Sequence, residues 1–172
     1  MLSEKITDWT LYYGEYELTG KVPLSLYSAL IEHQIIDHPY YHMNEKSATP
    51  LSAKDCEMTA EVSVTEEMFK KEHLELCFYG IDTLCDVYFN GKHLFYAENM
   101  HRMWRADIKE KALLGKNEIK LHFYSPSEYV ARKNAEHYLY NSTSGGVVME
   151  GIGHIRKALC TKCYGRVGRH GY

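Results

Sequence analysis

From Cys56 to Val64 the chain alternates without a break. Cys56, Met58, Ala60, Val62 and Val64 fall on one side, and Glu57, Thr59, Glu61 and Ser63 on the other. A period of two over that length predicts a strand with one buried face. Leu74, Leu76 and Phe78 continue the pattern up to Gly80, and Leu84 to Phe89 and Lys92 to Tyr96 predict two more strands. Asn90-Gly91 joins that last pair, where a type I′ turn needs positive φ at both central residues. Leu114-Gly115-Lys116-Asn117 predicts a second turn, feeding the alternating Ile119, Leu121 and Phe123. Short strands with turns every ~8–12 residues predict an all-β sandwich or barrel. Helical pattern is confined to two short stretches. Ser25 to Glu32 places Leu26, Ala29 and Leu30 on one side, and Pro126 to Glu136 is rich in polar helix formers. Asn141 to Gly146 is a loop by composition.

Composition narrows the class. The 172 residues are 45% hydrophobic and 25% charged, as expected of a globular domain with a core, not of a disordered or fibrous chain. Fifteen tyrosines and two tryptophans suit strands with one wet face and also suit carbohydrate surfaces. A net charge of −3 leaves no nucleic-acid footprint. The five basic residues Arg156, Lys157, Lys162, Arg166 and Arg169 follow Ile152 with no acidic residue among them, so a basic tail follows an acidic body. No apolar run approaches the ~20 residues that span a membrane. The start, Met1 to Lys5, lacks the apolar stretch of a secretory leader, and five cysteines fit no disulfide framework. Together these predict a cytoplasmic protein with free thiols.

Candidate chemistry is sparse. Cys160-Thr161-Lys162-Cys163 is a lone C-x-x-C, where structural zinc needs four ligands. The expectation is two free cysteines and no metal. The ten histidines are scattered, and Pro39 separates His38 from His42. Nucleophile elbows and phosphate loops are absent from the sequence, so no cofactor is expected. Glycoside hydrolysis needs two carboxylates across a sugar. Asp82 and Asp86 lie near each other, but Asp82 with Thr83 reads better as a turn, its carboxylate receiving backbone amides. Asp82, Thr83, Asn90 and Gly91 are thus assigned to turn chemistry.

An ordered series of segments is more specific than any one of them. Val22-Pro23 precedes Asp37-His38-Pro39-Tyr40-Tyr41 and Asn44-Glu45. Gly80-Ile81-Asp82-Thr83, Val87-Tyr88-Phe89-Asn90-Gly91 and Asn99-Met100-His101-Arg102 follow. Gly115-Lys116-Asn117, Ser125-Pro126 and Ile155-Arg156-Lys157-Ala158 complete the set. From about Trp9 to about Ala158 the series resembles the N-terminal sugar-binding domain of β-mannosidases in glycoside hydrolase family 2. The resemblance implies a jelly-roll β-sandwich, galactose-binding-domain-like, with one or two short helices. It implies that the catalytic glutamates lie elsewhere, on a barrel domain missing from this chain. A terminal β-mannoside is then the carbohydrate partner of the intact enzyme.

Two departures from that family stand out. Asp55 is followed by Cys56 where the family carries Trp, so neighbours must fill the gap or leave a cavity. Where the family carries Gly-Trp-Asp-Trp-Gly-Pro, this chain reads Gly165-Arg166-Val167-Gly168-Arg169-His170-Gly171 and ends at Tyr172. Codons for Arg166 to Arg169 read one base out of frame can encode Gly-Trp-Asp, so residues 161–172 are expected to be a truncated or frameshifted tail on a domain of residues 1–160. The resulting expectation is a non-catalytic accessory domain of a β-mannosidase-like enzyme, with Arg156 and Lys157 nearest the junction and self-association through that exposed face. The alternatives are a free-standing carbohydrate-binding module or a ligand-free interaction sandwich. Loops 37–44 and 99–104 would supply the module with Tyr40, Tyr41, His42 and Trp104.

Overall fold

The structure is a computed structural model that describes residues 3–136. Among the described residues eight strands form two antiparallel sheets. The larger has the order β2-β1-β3-β8-β5-β6, and the smaller pairs β4 with β7. Chain order is β1 (Asp8–Tyr13), β2 (Tyr16–Lys21), α1 (Leu26–Glu32), α2 (Asn44–Ala48), a 3₁₀ turn (Thr49–Ala53), β3 (Cys56–Val64) and α3 (Glu66–Phe69). Then follow β4 (Glu75–Phe78), β5 (Cys85–Phe89), β6 (Lys92–Ala97), β7 (Trp104–Asp107), β8 (Gly115–Phe123) and α4 (Pro126–Glu136).

The alternation of β3 sets the centre of the large sheet. All nine of its residues pair with β8, from Cys56 opposite Phe123 to Val64 opposite Gly115. Met58, Ala60 and Val64 are buried, facing the same side as Leu11, Val87, Phe89, Ile119 and Leu121. This inner face is the floor of the core. Leu26, Ala29 and Leu30 of α1 join the same cluster, so the helix covers the β1–β2 end of it. Ser25 caps α1: its Oγ accepts from the Ser28 amide at 3.0 Å, and the Ser25 amide donates to Ser28 Oγ at 2.9 Å.

The β5–β6 hairpin turns where the Asn-Gly pair predicts it, with φ of 48° at Asn90 and 73° at Gly91. Asn90 also ties that turn to the one before β8. Its Nδ2 donates to Asn117 Oδ1 at 2.8 Å and to Lys111 O at 2.9 Å, while its Oδ1 accepts from the Glu118 amide at 2.9 Å. Asn117 is only 3% exposed and closes its own turn. It donates to Leu113 O and Gly115 O at 2.8 Å each and accepts from the Leu113 amide at 2.7 Å. A buried amide with every polar atom engaged fixes both turns at one end of the sandwich.

Helices at 26–32 and 126–136 lie where the sequence predicts them. Two single-turn helices, α2 and α3, and the 3₁₀ turn add local structure in the connections. Strands β1, β2 and β7 were not among the predicted elements.

Candidate functional site

Two hollows lie on opposite sides of the large sheet. On the inner side, an open groove of about 1830 Å³ separates it from the small sheet. Every residue from His73 to Tyr79 lines this groove, so it follows β4 along its whole length. Its opposite wall is apolar and includes Trp9, Leu11, Met58, Leu121 and Phe123. Among the described strands β4 pairs with β7 alone, which leaves its other edge without a ladder. Cys56 also lines the groove. Burial pushes its thiol up to about 12, with Asp55 and Glu57 adding to the effect.

Asp82 and Thr83 border the same groove. The hydrogen bond at Asp82 comes from the Thr83 hydroxyl, where sequence reasoning expected backbone amides. Burial pushes the Asp82 carboxyl above its ordinary range, and His101 offsets part of that.

The second hollow, about 580 Å³, lies on the outer side near the N-terminal turn of α4. Side chains alternate along β5, so Cys85 and Val87 face the core while Asp86 points outward into this pocket. Tyr124 Oη donates to Asp86 Oδ2 at 2.5 Å, and His93 Nε2 lies 2.6 Å from Oδ1. Burial raises the Asp86 carboxyl, but the hydrogen bonds from Tyr124 and His93 outweigh it, leaving the group below its ordinary value. The same bond lifts the Tyr124 phenol to about 12. Asp55 holds the start of α4: its Oδ1 accepts from the Ser125 amide at 2.6 Å, and its Oδ2 pairs with His122 Nε2 at 3.3 Å. His122 Nδ1 reaches Glu57 at 3.0 Å, and Lys120 reaches the same carboxylate at 2.8 Å.

Asp82 thus lines the groove and Asp86 the second hollow, with Tyr124 lining both. The aromatic loops are separate again. Tyr40 and Tyr41, 63% and 66% exposed, take their ring contacts from His38 at 5.2 and 5.6 Å. His42 sits beside them at φ 48°. Phe95 stacks parallel on Trp104 at 5.2 Å, and the Arg102 guanidinium stands 4.6 Å over its ring, so the protein itself engages the indole. None of Tyr40, Tyr41, His42 and Trp104 lines either hollow. Arg156, Lys157, the Cys160/Cys163 pair and the boundary at residue 160 lie outside the described residues. Sequence reasoning missed Asp55, Tyr96, Tyr124, Tyr129 and Arg132 as neighbours, because only the pairing of β5 with β6 and β8, and the return of α4, bring them together.

A family described as glycosyl hydrolase 2, galactose-binding domain-like, matches residues 5–164. The chain belongs to that family. Mouse β-mannosidase is 28% identical over 153 residues, which are 86% of this chain and 17% of the mouse protein. A probable β-mannosidase of Caenorhabditis elegans is 27% identical over 70% of this chain and 13% of its own length. Among solved structures, the β-D-mannosidase of Dictyoglomus thermophilum superposes with a TM-score of 0.74 at 25% identity, covering 78% of this chain and 17% of that one. A β-glucuronidase from an uncultured Clostridium species, at 16% identity and a TM-score of 0.51 over 71% of this chain and 22% of that one, shares the fold. The chain thus spans about a sixth of the length of the β-mannosidases it matches. Its antiparallel sheets and short helices fit the jelly-roll sandwich of a galactose-binding-like domain.

Proposed function

We propose that this is the non-catalytic N-terminal accessory domain of a β-mannosidase-like glycoside hydrolase. It acts by packing against a catalytic barrel and helping to shape the pocket that receives a terminal β-mannoside. The apolar groove along β4 carries this reading. The side chains deep in the groove are packed into the core, while Tyr79 and Cys77 on its margin are exposed, which gives a partner an edge to dock against. The β-mannosidase relatives, of which this chain covers about a sixth, support a partner supplied by the rest of a longer protein.

In the isolated chain the uncovered groove favours self-association. Sedimentation should show concentration-dependent dimers or larger species, and Tyr79→Glu, at an exposed position lining the groove, should shift the population toward monomer. A sugar would meet a few isolated hydrogen bonds, each contributing ~1 kcal/mol net, which leaves millimolar affinity at best, ~4 kcal/mol. Calorimetric titration with mannose tests this. Millimolar binding or none agrees with an accessory domain, and micromolar binding would mark a free-standing carbohydrate-binding module instead.

A further inference from the structure

We infer that the Asn90-Gly91 turn is a site of spontaneous deamidation, gated by Asn117, whose product unlocks the end of the sandwich. The chemistry needs only these two residues and water. The Gly91 amide nitrogen attacks Cγ of Asn90 and forms a new N–C bond. The side-chain nitrogen of Asn90 leaves as ammonia, taking the proton that the Gly91 amide gives up. The five-membered imide then takes up one water and opens to aspartate or isoaspartate, so a neutral amide becomes a carboxylate. Glycine is the most permissive residue to follow the asparagine, because no side chain shields the attacking nitrogen. The fold keeps that access: a Cβ at Gly91 would meet no described atom within 4 Å.

Hydrogen bonding holds the reaction back. Attack requires the Asn90 side chain to swing over the Gly91 peptide, and the lock holds it elsewhere. Its Nδ2 donates to Asn117 Oδ1 at 2.8 Å and to Lys111 O at 2.9 Å, which uses both amide hydrogens. Its Oδ1 accepts from the Glu118 amide at 2.9 Å, and its backbone amide donates to Glu118 O at 2.9 Å. In the folded chain the reaction therefore waits for a local opening that breaks the three side-chain bonds together.

The product does not fit back into the lock. An ionised carboxylate only accepts, so after conversion an oxygen stands where Nδ2 faced Asn117 Oδ1 and Lys111 O. Asn117 cannot turn over to supply a donor. Its Nδ2 is committed to Leu113 O and Gly115 O at 2.8 Å each, and its Oδ1 accepts from the Leu113 amide at 2.7 Å. A flip would set oxygen against two carbonyls and N–H against N–H. Asn117 is only 3% exposed, so the opposed acceptors meet where solvent has little access. The isoaspartate branch also lengthens the main chain by one carbon within a two-residue turn, where φ of 48° and 73° matches the twist of β5 and β6. Either product loosens the joint between this hairpin and the turn before β8, and water does not restore it.

The test is a time course of the folded full chain in warm, mildly alkaline buffer, read by peptide mapping as the one-dalton mass gain at Asn90. A synthetic peptide covering Cys85–Ala97 gives the ungated rate. The chain should convert at Asn90 at least about tenfold more slowly than the peptide, and Asn117→Ala should recover most of that factor. Asn90→Asp installs one product directly and should lower the urea midpoint. It should lower it far less in the Asn117→Ala background, because both changes act on one contact. Should Asn117→Ala fail to fold, the rates of chain and peptide and the Asn90→Asp midpoint decide the matter without it. Four results would overturn the proposal: a chain as fast as the peptide, a folded Asn117→Ala chain no faster than the parent, an Asn90→Asp midpoint equal to that of the parent, or Asn90 intact in both chains throughout the course.

Discussion

At the scale of single residues, carboxylates of one chemical type are driven in opposite directions by their surroundings. Hydrogen bonding to Lys120, aided by His122 and opposed by burial, holds Glu57 below its ordinary value. Its contribution to stability is present above the unfolded carboxylate value, ~4.3, and is lost as pH falls through the lower folded one. Glu57→Gln should therefore flatten the loss of stability below about pH 4, measured by urea unfolding across that range. Asp82 behaves oppositely. Burial raises it, so the folded state holds its proton more tightly and stability falls as pH rises through the carboxylate range. Asp82→Asn should accordingly leave stability at neutral pH unchanged or higher. A clear loss would show that the charge is stabilised by contacts beyond Thr83 and His101. The thiols separate in the same way: Cys77 is exposed, while burial raises both Cys56 and Cys85. Brief alkylation followed by peptide mapping should label Cys77 well ahead of Cys56 and Cys85.

Elements with one wet face and strict alternation were legible in the sequence. The strands β3, β4, β5 and β8 belong to that class, and β6 was legible through the Asn90-Gly91 turn that precedes it. The alternation of β1 is genuine, with Trp9, Leu11 and Tyr13 buried, but Tyr12 on the wet face breaks the polar half of the pattern that Asp8 and Thr10 begin. The short β7 reads as charged because Arg105 and Asp107 occupy its exposed positions. Neither hollow was legible, since each is assembled from residues far apart in the chain. The strongest local test at this scale is the Asn90–Asn117 tie. Asn117→Ala strips partners from Leu113 N, Leu113 O, Gly115 O and Asn90, and should cost about 2–4 kcal/mol in chemical denaturation. Ser25→Ala removes only the cap of the seven-residue α1 and should cost about 1 kcal/mol.

For the whole molecule, the architecture separates two surfaces with different chemistry. The inner groove is apolar and follows β4, and the outer pocket is polar and sits at the start of α4. Two carboxylates that are near neighbours in sequence line different hollows, Asp82 from the loop before β5 and Asp86 from β5 itself. Glycoside hydrolysis asks for a pair of carboxyl groups flanking a single bond, ~5–10 Å apart across the sugar. Support by this chain and catalysis by another domain are proposed from the family match and from the sixth of the β-mannosidase relatives that the chain covers. The most direct measurement is turnover of an aryl β-mannoside by the purified chain. The account predicts release of the aryl alcohol at the buffer rate, unchanged by Asp82→Asn or Asp86→Asn. Turnover well above buffer that disappears with either substitution would contradict it.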